Sequence, residues 1–277
     1  MKRIVTVQDI SCLGKCSLTV ALPIISAMGV ECAVVPTAVL STHTMFRGYT
    51  FRDLTDDIQP IIKHWQKEGI TYDAVYTGYL GSFEQLSLVS DMFDLYKKDG
   101  ALIVVDPVMA DNGKLYPGFT EEFAKSMAGI CGKADVIVPN LTEASYMLGV
   151  PYVGSDYDEE YIKDMLKKLC ALGCKKAVIT GVSFEKGRLG VMAYNSETDN
   201  YFTYFNTHLP VSYHGTGDIF TSCLLGGLMN DLGLEGALKL AVDYTVECIA
   251  KTTENPNSRS YGVDFESAVP MLVDRLR

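Results

Sequence analysis

The chain has 277 residues, 48% of them apolar and 21% charged, with a formal net charge of −10. That mixture belongs to a globular protein able to bury a sizeable core and excludes disordered and fibrous classes. The acidic balance, with no Lys/Arg stripe, excludes a nucleic-acid footprint, so an anionic substrate needs a local device such as a metal ion or a helix N-terminus.

The N-terminal MKRIVTVQDIS meets Gln8 and Asp9 too soon to form the apolar core of a signal peptide. No segment reaches the roughly 18 uninterrupted apolar residues of a membrane span. A cytoplasmic protein with no membrane partner is expected. IVTVQ (4–8) predicts a strand, and SLTVALPIISAMG (17–29) a helix with Ser17 as N-cap and Gly29 as its stop. The same order recurs in CAVVPTAV (32–39), DLTDDIQPIIKHWQKEG (53–69), DAVYTG (73–78), EQLSLVSDMFDLYKKDG (84–100) and ALIVVD (101–106). DVIVP (135–139), helices near 142–149 and 158–172, and KAVIT (176–180) continue it. Apolar strands alternating with helices predict an α/β fold, with a mainly parallel sheet covered on both faces. RLGVMAYN (188–195) and NYFTYFNTHL (200–209), joined by SETD, predict an antiparallel hairpin at the sheet edge. Helices near 217–230, 234–252 and 264–276 close the chain, which is expected to form one domain over 1–277. The eight cysteines are scattered through apolar runs without zinc spacing, which predicts reduced core thiols.

In open α/β sheets ligands bind beyond the carboxyl ends of the strands, so the residues following each strand matter most. In HGTGDIFTSCLLGGLM (214–229) two glycines bracket Thr216 and Asp218 follows as a helix begins. The amides of Gly215, Thr216 and Gly217 would face an anion, backed by about half a positive charge at the helix N-terminus. Asp218 would then stand where a carboxylate can take a proton from an attacking alcohol. The alternative is an Asp that caps the helix after a glycine turn. In VVDPVMADNGKLY (104–116), Asp106 ends a strand and Asp111 sits in the next loop. Two such carboxylates can hold Mg2+ through waters, or can simply hydrogen-bond the turn backbone. In PNLTEA (139–144), Asn140 and Glu143 share a helix face, where they can organise a metal's water shell, form a capping box, or do both. His43 and His214 flank these motifs, either contacting the substrate or shaping its loop.

These segments occur in the same order in the ribokinase-like superfamily of small-molecule kinases, and the chain resembles a pyridoxal/pyridoxamine kinase over nearly its whole length. The resemblance rests on VQDIS (7–11), STHT (41–44), TGYLGS (77–82), DPVMADNGKLY (106–116), PNLTEA (139–144), ITG (179–181) and GTGD (215–218). It implies a three-layer fold and an ATP-dependent kinase that phosphorylates the 5′-hydroxymethyl group of pyridoxamine, pyridoxal or pyridoxine. It implies Asp218 as catalytic base, Gly215, Thr216 and Gly217 as an anion hole, and Asp9, Thr44 and Tyr79 beside the vitamin ring. Asp106, Asp111, Asn140 and Glu143 would serve the ATP phosphates and Mg2+, the metal falling to Asp111 and Glu143, with Tyr116 and Thr180 near the nucleotide. A homodimer and activation by a monovalent cation such as K+ are further implications.

Three positions depart from the family pattern: Ala110 in place of Gly, Met45 after Thr44, and Asp9 where many pyridoxal kinases have Ser. A hydroxymethylpyrimidine kinase shares the fold and a similar acceptor, but usually has Cys at the place of Asp218. A noncatalytic vitamin- or nucleotide-sensing module is the alternative from another class; the full set of motif residues speaks against it.

Overall fold

Residues 1–276 are described by a computed structural model. Its first elements are β1 (Arg3–Ser11), α1 (Leu18–Ala27), β2 (Glu31–Leu40), β3 (Phe51–Asp53), α2 (Thr55–Lys67), β4 (Ala74–Thr77) and α3 (Phe83–Lys97). Then come β5 (Leu102–Val105), β6 (Ala110–Asp111), β7 (Lys114–Leu115), α4 (Glu121–Cys131), β8 (Val136–Ile137), α5 (Leu141–Leu148) and α6 (Glu159–Ala171). The last are β9 (Lys176–Val182), β10 (Arg188–Asn195), β11 (Asn200–Thr207), α7 (Thr216–Met229), α8 (Gly233–Glu254) and α9 (Val269–Arg275). The predicted strands and helices all form. Two compact units divide the chain: Met1–Asp73 with Asn206–Arg277, and Ala74–Phe205.

In the first unit β1 and β2 run parallel, and β3 pairs antiparallel with β2. Ile4, Val5 and Val7 are fully buried, as are Thr6 and Gln8 beside them, because both faces of β1 are covered. The pairing of β1 with β2 slips between Gln8 and Ile10, where the extra residue lies on β2, so Asp9 faces the irregularity. α1 packs on β1 and α7, and α7 packs along α8.

The second unit orders its strands β11-β10-β9-β8-β5-β4. β4, β5, β8 and β9 are parallel, while β10 runs antiparallel to β9 and begins the edge hairpin. Two features escape the periodicity. Residues 110–115 form a two-stranded ribbon turned by Asn112 and Gly113, both at positive φ, the preferred chemistry for a two-residue hairpin. α4 is capped by the Thr120 hydroxyl, which accepts the Phe123 amide, and has Glu121 and Glu122 in its first turn.

Asp135 ties β5, β8 and β9 together. Its Oδ2 accepts the Ile103 amide at 2.9 Å and its Oδ1 meets Lys175 Nζ at 2.8 Å. Burial raises its pKa, but those two partners outweigh burial and hold it below the usual carboxylate range. A depressed folded pKa means stability that is present above the unfolded value and lost as pH falls through the folded one. Asp135→Asn is therefore expected to cost about 1–3 kcal/mol in urea unfolding at neutral pH. The deficit should shrink on acidification, which unfolding midpoints measured from pH 7 downwards would check.

Candidate active site

In the first unit, the turn before α7 is possible only with glycine at 215. Gly215 has φ +84°, and a Cβ there would overlap the carbonyl oxygen of Lys15. The chain 12–17 consequently lies against the start of α7. The first amides of α7 have no partner within the helix, which makes them a potential anion site. Asp218 stands half-buried in that turn, and its Oδ2 accepts the Ser17 amide at 2.9 Å.

Ser17 precedes α1 as expected, but its side chain caps nothing. At φ +51° its amide is turned towards Asp218 instead, and its side chain lies beside Asp9, whose charged form it favours. Asp9 is buried and accepts the Ser11 hydroxyl at 3.0 Å. Burial raises the Asp9 pKa more than these neighbours lower it. The Cys16 thiol is pushed up to about 12, first by burial and then by the charges of Asp218 and Asp9. Asp9, Cys16 and Asp218 therefore share one electrostatic environment. Thr44 is exposed in the loop after β2, next to the buried His43. Neither the Ser17 amide nor the placement of Cys16 is signalled by residue type.

The second unit carries the remaining residues. Glu143 is buried and doubly committed: Oε1 accepts the Met109 amide at 3.0 Å and Oε2 the Asn140 amide at 2.9 Å. Asn140 Oδ1 returns the bond to the Glu143 amide, completing a capping box, and its Nδ2 donates to the Ala110 carbonyl at 2.8 Å. The box thereby holds the 106–111 loop as well as α5. Ala110 adopts a strand conformation and the strain falls on Val108, whose φ of +27° is rare for a β-branched residue. Burial and then the neighbouring Asp106 charge push Glu143 up to about 8. Two acids close together in a buried site cannot both ionise cheaply.

Asp111 is exposed, and its two oxygens accept the backbone and side-chain N–H groups of Asn112. Tyr116 is tethered through its amide to the Met109 carbonyl, and Thr180 through its amide to the Pro139 carbonyl. Tyr79 follows β4 and packs its ring on Phe119 at 5.5 Å. Asp9, Thr44 and Asp218 thus lie in the first unit, while Tyr79 lies in the second with the nucleotide candidates.

A family model described as phosphomethylpyrimidine kinase matches residues 21–263. The chain belongs to that family. The kinase is 41% identical, with a TM-score of 0.92, to a candidate phosphomethylpyrimidine kinase of Bacteroides thetaiotaomicron crystallised with pyridoxal; the match covers 98% of this chain and 95% of the other. It is 29% identical, with a TM-score of 0.88, to pyridoxal kinase of Lactobacillus plantarum, over 99% and 97% of the two chains. A pyridoxal kinase of Dictyostelium discoideum is 27% identical over 262 residues, which is 88% of this chain and 85% of that one. The ribokinase-like fold and the pyridoxal kinase resemblance are both borne out.

The contact at Gly215 gives a direct test. Gly187 is also at positive φ, +81°, but nothing lies within 4 Å of a Cβ placed there. Gly187→Ala should cost about 1–2 kcal/mol from conformation alone. Gly215→Ala should cost about 1–3 kcal/mol more because the backbone of Lys15 must move. Chemical denaturation of both variants measures the difference.

Proposed function

We propose that the kinase transfers the γ-phosphoryl group of ATP to the 5′-hydroxymethyl group of a B6 vitamer, with Asp218 as general base. The observation that carries this reading is the Asp218 carboxylate, fixed by the Ser17 amide in the first turn of α7, directly after the Gly215 turn. A carboxylate with one anchored oxygen keeps the orientation a general base requires. The hydroxyl proton passes to Asp218 and the hydroxyl oxygen forms a bond to the γ-phosphorus. The bond from that phosphorus to the bridging oxygen breaks, and ADP leaves. The amides of Gly215, Thr216 and Gly217 offer donors to the charge on the transferring group. The Bacteroides relative crystallised with pyridoxal supports a B6 acceptor over the phosphomethylpyrimidine of the family description and over hydroxymethylpyrimidine.

Asp106, Asp111, Asn140 and Glu143 are proposed to serve the ATP phosphates, with Tyr116 and Thr180 near the nucleotide. Among the described residues no three His, Cys, Asp or Glu side chains cluster to hold a metal ion. Mg2+ keeps several waters and takes one or two carboxylates plus phosphate oxygens rather than a dedicated protein cage. Asp111 and Glu143 are the proposed carboxylates, and the metal would neutralise phosphate charge. The reading also takes residues 1–277 as one catalytic domain, acting in the cytoplasm as a homodimer and assisted by K+.

Asp218→Asn is expected to lower kcat by about 10² to 10⁴ while the fold and ATP affinity persist. Near-normal turnover in that variant would remove Asp218 from the mechanism.

Asp9 sets the vitamer preference in this proposal, and Thr44 and Tyr79 complete the ring contacts. An ionised carboxylate accepts hydrogen bonds and cannot donate them, so it favours the aminomethyl group of pyridoxamine over the aldehyde oxygen of pyridoxal. The mismatch is worth about 1–3 kcal/mol, or roughly tenfold to a hundredfold in kcat/KM. Because burial raises the Asp9 pKa, the preference should weaken as pH falls and the carboxyl gains a proton it can donate. Competition assays across pH, in the wild type and Asp9→Ser, test this. Equal kcat/KM for both vitamers, or a gap unmoved by the substitution, refutes it.

A further inference from the structure

His43 does more than fill space beside Thr44. The ring is buried and both of its nitrogens are engaged. Nδ1 accepts the Met45 amide at 3.2 Å, which leaves the proton on Nε2, and Nε2 donates to the Tyr261 carbonyl at 2.8 Å. The Phe46 amide also returns to the His43 carbonyl, so Thr44 is enclosed in a turn closed by both the backbone and the ring of its neighbour.

Two further segments meet the same ring. Gly14 lies so close that a Cβ there would overlap the His43 ring, and Gly14 is three residues from Ser17, whose amide orients Asp218. His214, the residue before Gly215, stacks on His43 with centroids 5.5 Å apart and planes 15° apart. Phe46 and Tyr261 close around it, with centroids 5.1 and 6.4 Å from His43. One imidazole thus touches the Thr44 loop, the 12–17 segment, the turn that begins α7 and the C-terminal segment at Tyr261.

We infer that His43 is a positioning residue that fixes the acceptor loop at Thr44 and the general base at Asp218 relative to each other. The inference rests on the proposed kinase reading for its catalytic meaning and on the ring's contacts for its structural meaning. Displacements of about 1 Å between reacting groups can cost on the order of a hundredfold in rate, so loosening this ring should be felt at both groups. The Tyr261 carbonyl bond explains why a C-terminal segment far along the sequence would influence turnover. His214 is itself exposed and presents its ring face to His43.

The test compares His43→Ala with His43→Asn, whose side-chain oxygen can replace Nδ1 for the Met45 amide but cannot reach the Tyr261 carbonyl. Hydrogen exchange should speed up in peptides covering 12–17 and 213–218 in His43→Ala, and less in His43→Asn. In both variants kcat should fall and the vitamer KM rise, for a loss of about tenfold to a hundredfold in kcat/KM per folded molecule. ATP affinity should stay within about twofold, whereas a purely structural lesion would lower the active fraction and leave the vitamer KM unmoved. Wild-type exchange in both peptides overturns the inference whatever the activity does, and an unchanged vitamer KM and kcat overturns its catalytic part. A wild type inactive on every vitamer instead overturns the kinase reading, while the exchange comparison still decides the linkage. If His43→Ala does not fold, His43→Asn carries the same comparison.

Discussion

The approach of the Lys15 carbonyl to Gly215 is the constraint on which the first unit's chemistry depends. Two irregular stretches of backbone can lie this close only where one of them has no Cβ. Once they do, the Ser17 amide reaches the Asp218 carboxylate, and the Ser11 hydroxyl bonds Asp9 with the Ser17 side chain beside it. The same segment is held from its other side. Lys15 Nζ is clamped by Asp264 at 2.7 Å and Glu266 at 2.9 Å, and Gly262 leaves room for its side chain. The Lys15–Asp264 pair is mostly buried, so solvent screens it less than an ordinary surface pair. Positive φ at Ser17 is a conformational cost that these contacts offset.

The second unit solves a different problem, that of holding acids close together. Burial and then the Asp106 charge raise the cost of ionising Glu143, yet Glu143 receives two backbone N–H groups that favour its charged form. Burial and like charge outweigh those donors, so the acid retains its proton to a higher pH than an exposed glutamate would. A site balanced in this way responds to a nearby cation, because a positive charge offsets the repulsion from Asp106 and favours the ionised form. In the proposed reading, the glutamate that closes the capping box of α5 is also the carboxylate that serves the phosphates. The structural and chemical accounts of PNLTEA are therefore one account.

Much of the fold was legible because strand and helix periodicities report burial, and burial in a covered parallel sheet is nearly continuous. The short strand β3 escaped, and so did two elements of the second unit. The ribbon at 110–115 is too short for any periodicity, although Asn112-Gly113 is a strong turn signal. α4 carries a Thr cap and early glutamates but follows a loop crowded with Gly and Pro. The positions of the site residues at the ends of strands and starts of helices could also be read, because the chemistry of Gly, Asp and Asn restricts them to such places.

By itself the sequence determined the alternation of strands and helices, the glycine turn before an acidic helix start, and the capping box at Asn140 and Glu143. All of these are local, governed by residues within a few positions of one another. Only the tertiary structure decided that Ser17 would give its amide to Asp218 rather than its side chain to α1. It alone brought Cys16 into the fields of Asp9 and Asp218, and His43 against Gly14, His214 and Tyr261. Backbone amides have no residue identity, and contacts across some 200 residues depend on how close two chains can come, a question of sterics that no local pattern encodes.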